Sequence, residues 1–260
     1  MPYVPDAPGY FPWRRPRRQS EPTPSMYFLI NTRYRVAFGW SAKCGCTMVK
    51  SLFFELSGVF MPNVHGAWLW AGLPPDGGGF EVIVFARNPY ERLVSGFLDK
   101  YGRSRELEAS DPLPEEGATS FSRFVRWLEQ EGMRTRSPNF VHHFTPQLSE
   151  AWLDSMPVAK VYDIKAIDHE YLQARFESTI APRERRMNAG APVAGQRTGA
   201  GLLPISQLAN LAVVPEYASF YDAETKAAVA RIYRRDLEFF RRAGLAYDTE
   251  AAPSTSRIPA

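Results

Sequence analysis

The 260-residue chain is 45% hydrophobic and 13% aromatic, long enough to bury one substantial core and short for two independent ones. Charged residues make up 23%, close to the average for soluble globular proteins, which excludes wholesale disorder. The net charge of +3 comes from 31 Lys and Arg set against 28 Asp and Glu, a balance too even for a nucleic-acid-binding stripe.

Residues 1–25 are crowded with prolines, among them Pro2, Pro5, Pro8, Pro12, Pro16, Pro22 and Pro24. Proline removes backbone donors and blocks regular pairing, so this stretch reads as an extended arm. Its one basic run, Arg14, Arg15, Arg17 and Arg18, reads as solvated charge. A single domain over 26–248 and a polar tail over 249–260 complete the expected organisation. From Met26 the aromatic and β-branched runs MYFLI and YRVAFGW, bounded by turn formers, predict one or two strands. SAKCGCTMVKSLFFELSG follows, a small-residue loop feeding a helix with Met48, Leu52, Phe53 and Leu56 on one face and ending at Gly58.

A second strand-loop-helix unit is FEVIVFARNPYERLVSGFLDKYG. Its continuous apolar run Val82 to Ala86 suits a buried parallel strand. Asn88 then stands at an N-cap, with Pro89 at the first helical position and Glu91 three residues after the cap; the helix is expected to run to about Tyr101. Residues 102–118 read as an exposed loop, and Phe121 to Glu131 as an amphipathic helix with Phe121, Phe124, Val125 and Leu128 inward. VAKVYDI, 158–164, predicts another short strand. The Gly-, Ala- and Pro-rich stretch 188–215 predicts a long loop, and Val229, Ile232, Tyr233, Leu237 and Phe240 predict one helix from about Ala223 to Ala243. Alternation of this kind predicts an α/β fold of three layers, α/β/α, around a mainly parallel central sheet.

Cys44 and Cys46 are the only cysteines; one intervening residue is poor geometry for an unstrained disulfide, and two thiols are too few for a structural zinc site. A reducing compartment is the simple inference. With no apolar run long enough to span a membrane and no apolar signal core, a cytoplasmic protein without an integral membrane segment is expected.

Two motifs carry chemistry. In AKCGCTMVKS, residues 42–51, a strand running into a tight loop and then a helix aims backbone N–H groups and the positive end of the helix dipole at whatever lies above the loop. Lys43 adds a mobile cation, Gly45 permits close backbone approach, and Thr47 adds a hydroxyl donor; Cys44, Cys46 and Met48 complete the candidate phosphate cradle. It is not the loop of nucleotide kinases, whose lysine follows the second glycine and precedes a metal-binding Ser or Thr. In the second motif, Arg87 at a strand end and Ser95 two turns into the next helix can converge on one dianionic phosphate, the arginine fork supplying paired donors. Arg92 reads as a surface ion-pair partner.

The first motif resembles the 5′-phosphosulfate loop of sulfotransferases, above all the Golgi carbohydrate sulfotransferase family (sulfotransferase family 2) and its bacterial relatives, at Lys43, Gly45, Cys46, Thr47 and Lys50. The second resembles the 3′-phosphate motif of the same family, with Arg87, Asn88, Pro89, Tyr90, Arg92, Leu93, Val94 and Ser95 at matching positions and Asp99 and Lys100 continuing it. The closing FYDAETKAAVARIYRRDLEFF stretch resembles the family's last helix with its Tyr-x-x-Asp pattern. Met48 and Val49 depart from the polar or aromatic residues common there.

The resemblance implies a P-loop-like sulfotransferase fold and an enzyme that uses 3′-phosphoadenosine 5′-phosphosulfate (PAPS) as donor and no metal. The cofactor would be held by Lys43, Cys44, Gly45, Cys46, Thr47, Met48, Arg87 and Ser95. It also implies an acceptor hydroxyl on a carbohydrate or glycolipid-like molecule. Lys43 is expected to stabilise the leaving group, and His65 or His143 to act as base, since only histidine titrates near neutrality unaided. His142 and His169 read as structural and solvated. Trp68, Trp70 and Trp152 suit core packing or stacking on sugar faces. The alternatives are a kinase-like phosphoryl transferase, which would want the other lysine position and a metal-binding acid, and a nucleotide-binding protein without catalysis. Oligomeric state is not readable.

Overall fold

A computed structural model describes residues 26–61, 64, 77–103, 120–131, 138–148, 158–179, 199–209, 211 and 215–248. The chain divides into two compact units, one of Met26–Ala86 and Leu148–Met187, the other of Arg87–Gln147 and Asn188–Ala260.

The first unit is built on a four-stranded sheet whose order follows the sequence. Strands β1 (Tyr27–Asn31) and β2 (Val36–Trp40) pair antiparallel as a hairpin, its turn tightened by the Tyr34 N–H donating to Asn31 Oδ1 at 3.2 Å. Strands β3 (Glu81–Ala86) and β4 (Val158–Asp163) extend the sheet in parallel with β2. Every residue of β1 and β2 is buried, as expected of strands rich in aromatic and β-branched residues with both faces covered. Helices α1 (Cys46–Leu56) and α5 (His169–Arg175) flank this sheet. Phe38 is the centre of the core: its ring lies 5.3 Å from Phe53 of α1, 4.8 Å from Phe85 of β3 and 5.6 Å from Phe176 just after α5. Edge and tilted aromatic contacts of this kind add to area burial.

Among its described residues the second unit is helical: α2 (Pro89–Phe97), α3 (Phe121–Gln130), α4 (Pro138–Phe144), α6 (Ile205–Ala209), α7 (Ala223–Ile232) and α8 (Arg234–Arg242). Helix α2 starts as the sequence predicts, with the Asn88 side chain accepting from the Tyr90 N–H at 3.0 Å and Pro89 in the first turn. It continues into a π-helical turn, Leu98–Arg103. Helix α3 buries Phe121, Phe124, Val125 and Leu128 as predicted. These pack with Phe97, Tyr101, Phe140, Phe144, Phe220 and Tyr233 into a second aromatic core.

Two expectations are corrected here. The helix expected over 223–243 is two helices that meet at Tyr233, whose backbone angles (φ −105, ψ 24) depart from helical values although its N–H still donates to the Val229 carbonyl and its carbonyl accepts from the Leu237 N–H, each at 3.0 Å; its buried hydroxyl donates to the Phe144 carbonyl at 2.6 Å. The stretch read as a long loop, 188–215, contains among its described residues a helical turn at Ala200–Leu202 and the helix α6. Gly201 is buried, and a Cβ on it would lie 2.1 Å from the Phe220 carbonyl oxygen, so this glycine reflects close backbone approach. The expected loop at 102–118 falls almost entirely outside the described residues.

Candidate functional site

In the first unit, parallel pairing brings the carboxyl ends of β2, β3 and β4 to one edge of the sheet, the edge at which open α/β sheets bind ligands. The chain leaves β2 there through Ser41–Gly45 and enters α1 at Cys46. A turn bond from the Cys44 N–H to the Ser41 carbonyl (3.3 Å) and the Ser41 hydroxyl donating to Cys44 Sγ (3.1 Å) fix the loop, and Cys44 is fully buried. Lys43 and Gly45 both take the left-handed conformation, at φ 64 and φ 62. At Gly45 a Cβ would meet only ordinary contacts, 3.4 Å from Met48 and 3.6 Å from Ile164, so glycine is needed for conformation, not space. Lys43 has no such dispensation, and its backbone holds on the order of 1 kcal/mol of strain.

Gly45 is the N-cap of α1, no side chain caps the helix, and its first turn contains no acidic residue. The positive end of the helix dipole is therefore left uncompensated from within the helix, the condition that suits an anion. Lys43, Cys46 and Met48 are partly exposed around it, while Thr47 is buried. Lys50, one turn further, is buried with Nζ 4.4 Å from the centre of the Trp40 ring. Burial lowers its pKa, with the neighbouring Cys46 pulling the other way.

In the second unit, Arg87 is partly exposed and its Nε donates to Glu91 Oε2 at 3.3 Å, one helical turn on. Its backbone is gripped by Gln147: the Arg87 N–H donates to Oε1 at 3.0 Å, and Nε2 donates back to the Arg87 carbonyl at 2.8 Å. Arg92, read from sequence as a surface ion pair, is instead 1% exposed with Nη1 donating to the Thr145 carbonyl at 2.7 Å; the expectation fails because its helix face is turned inward. Ser95 is partly exposed on α2. Gly96 beside it admits α4, since a Cβ there would lie 3.0 Å from Phe144 Cε1 and 3.6 Å from the His143 carbonyl. His143, a partly exposed residue, thus has its backbone against the helix that carries Ser95. Its ring meets that of the buried His142 edge-on, centroids 4.6 Å apart.

His65, Trp68, Trp70 and Trp152 lie outside the described residues, and His169 is exposed at the start of α5. Sequence reasoning missed Gln147, Tyr233 and Asp236 as parts of this arrangement. Tyr233 and Asp236 were visible only as the Tyr-x-x-Asp pattern of the closing helix. Among the described residues, no group of three or more His, Cys, Asp or Glu could hold a metal, and no helix is long and apolar enough to cross a membrane.

A helix start suited to an anion, at the carboxyl edge of a mostly parallel four-stranded sheet, places the chain in the class of mixed α/β proteins. The chain belongs to sulfotransferase family 2: the profile of that family, described as the sulfotransferase family, matches residues 79–242. That span includes Arg87, Ser95, His143 and Gln147 and begins after the 41–50 loop. It assigns the chain to sulfuryl transfer. No curated protein and no solved structure matches it.

Proposed function

We propose that the protein is a PAPS-dependent sulfotransferase acting on a hydroxyl of a carbohydrate or glycolipid-like acceptor. In this reading a single P-loop-like, three-layer catalytic domain spans residues 26–248, and the protein works in the cytoplasm without a metal. The observation that carries it is the α1 start, where left-handed Lys43 and Gly45 leave an uncapped, acid-free helix terminus. The backbone from Cys44 to Met48, with the Thr47 hydroxyl, would hold the 5′-phosphate. Arg87 and Ser95 would hold the 3′-phosphate; their support is the family match over that motif.

The acceptor oxygen attacks sulfur, the bond from sulfur to the 5′-phosphate oxygen breaks, and the base takes the hydroxyl proton. A sulfate ester and adenosine 3′,5′-bisphosphate leave. As in phosphoryl transfer, positioning and electrostatics dominate, so Lys43 near the bridging oxygen stabilises the charge that grows there. His65 and His143 are the candidate bases.

The test is incubation of the full chain with sulfur-labelled PAPS and a panel of hydroxyl acceptors. Adenosine 3′,5′-bisphosphate is expected to appear in step with label on an acceptor; donor that stays intact with every acceptor would overturn the reading. In the same assay His143→Ala or His65→Ala, whichever removes the base, abolishes turnover while the donor still binds.

A further inference from the structure

Beyond Ala86 the chain has left the β3–β4 ladder: Ala86 pairs with Asp163 at the end of the register, and its carbonyl accepts from the Ile164 N–H at 2.9 Å. The next residue, Arg87, nevertheless has both of its backbone polar groups engaged, by one side chain. The Gln147 amide presents its oxygen to the Arg87 N–H and its nitrogen to the Arg87 carbonyl, the paired contact that a neighbouring strand would have made. Gln147 is 1% exposed and is itself held, its backbone N–H donating to Asp236 Oδ2 at 2.6 Å. Asp236 stands in the first turn of α8 and is fully buried. The segment carrying Gln147 is fixed at two further points, the Phe144 carbonyl by Tyr233 and the Thr145 carbonyl by Arg92.

A long, partly exposed arginine gains little as an anion ligand if its own backbone drifts, because the ordering cost is then met at binding. We propose that Gln147 is a positioning residue: it clamps the Arg87 backbone, backed by Asp236 of α8, so that the guanidinium is presented to the 3′-phosphate of the donor. This deepens the donor reading above and rests on it. The Tyr-x-x-Asp pattern of the closing helices thereby acquires a part in donor binding, through the chain segment that it holds.

The experiment titrates the full-length protein calorimetrically with adenosine 3′,5′-bisphosphate and with AMP, which lacks the 3′-phosphate. Gln147→Met keeps the length and removes both hydrogen bonds; it is expected to weaken the bisphosphate about tenfold and AMP less than about twofold. Gln147→Glu keeps the acceptor for the Arg87 N–H and loses the donor, so it should fall between, and it stands in if the methionine variant does not fold. In an Arg87→Ala background neither change should alter bisphosphate affinity further, the non-additivity expected of residues acting through one another. Equal weakening of both ligands by the Gln147 variants, or a full effect persisting without the arginine, would mean that Gln147 only supports the fold. Should Arg87→Ala alone weaken the two ligands equally, the donor reading fails and takes this proposal with it. Should Arg87→Ala discriminate and Gln147 not, the positioning role alone is lost.

Discussion

Lys43 occupies a conformation that side chains other than glycine adopt at a cost, at the point where the proposed chemistry places a cation. Stability and function should then part company at this residue. Lys43→Gly and Lys43→Ala both remove the ammonium and should both abolish turnover, but only the glycine relieves the backbone. Chemical denaturation should find Lys43→Gly more stable than Lys43→Ala by about 1 kcal/mol; equal stabilities would show that the loop carries no strain. Neither the strain nor the buried setting of Lys50 and Arg92 can be read from residue type, since each depends on what the fold sets beside it. Arg92 illustrates the point: its place in the family motif was legible, but its solvent-free setting was not.

At the scale of the element, local chemistry was the reliable guide. The start of α2 was legible because Asn88, Pro89 and Glu91 act within one turn, and the buried face of α3 because its period is intact. For the same reason periodicity reads straight through Tyr233, where a change of backbone angles alone separates α7 from α8 while the hydrogen bonds from the Tyr233 N–H to Val229 and from the Leu237 N–H to Tyr233 carry on across it. The cap makes its own prediction. Asn88→Ala should lower stability by about 1 kcal/mol in denaturant titration, and Asn88→Asp, which keeps the accepting oxygen, should restore a good part of it. If aspartate restored nothing, the cap would not be what Asn88 contributes.

Across the whole molecule, each unit has its own aromatic core, and each carries a carboxylate held in its charged form. In the first, burial pushes Glu81 up, but hydrogen bonds from Tyr171 and Arg175 and the charges of Arg175 and Lys160 outweigh it and hold Glu81 below its ordinary pKa. In the second, the Thr225 N–H and hydroxyl hold Asp222 down as the partner in a capping box. A carboxylate whose folded pKa lies below its unfolded one stabilises fully above the unfolded value, about 4, and that contribution is lost as pH falls through the folded value. The denaturation midpoint should therefore hold from neutrality to about pH 5 and then decline, and Glu81→Gln should flatten part of the decline. A midpoint unchanged down to about pH 3 would rule this out. Strands β1 to β3 and helices α1 and α2 were legible because strand, loop and helix signals are contiguous in the chain, and both candidate phosphate motifs lie within those contiguous stretches. The clamp on Arg87 was not, because it joins residues 60 positions apart.

The amide of Asn88 that caps α2 has a second hydrogen bond, from Nδ2 to the carbonyl of Asp248 at 2.8 Å, and Lys226 reaches the Asp248 carboxylate at 2.5 Å. Where the polypeptide is cut is therefore not neutral for the start of α2. Trimming back to Ala243, the C-cap of α8, would spare every described helix and strand yet strip the residue beside Arg87 of its anchor, whereas a tag or fusion joined after Asp248 leaves that anchor intact.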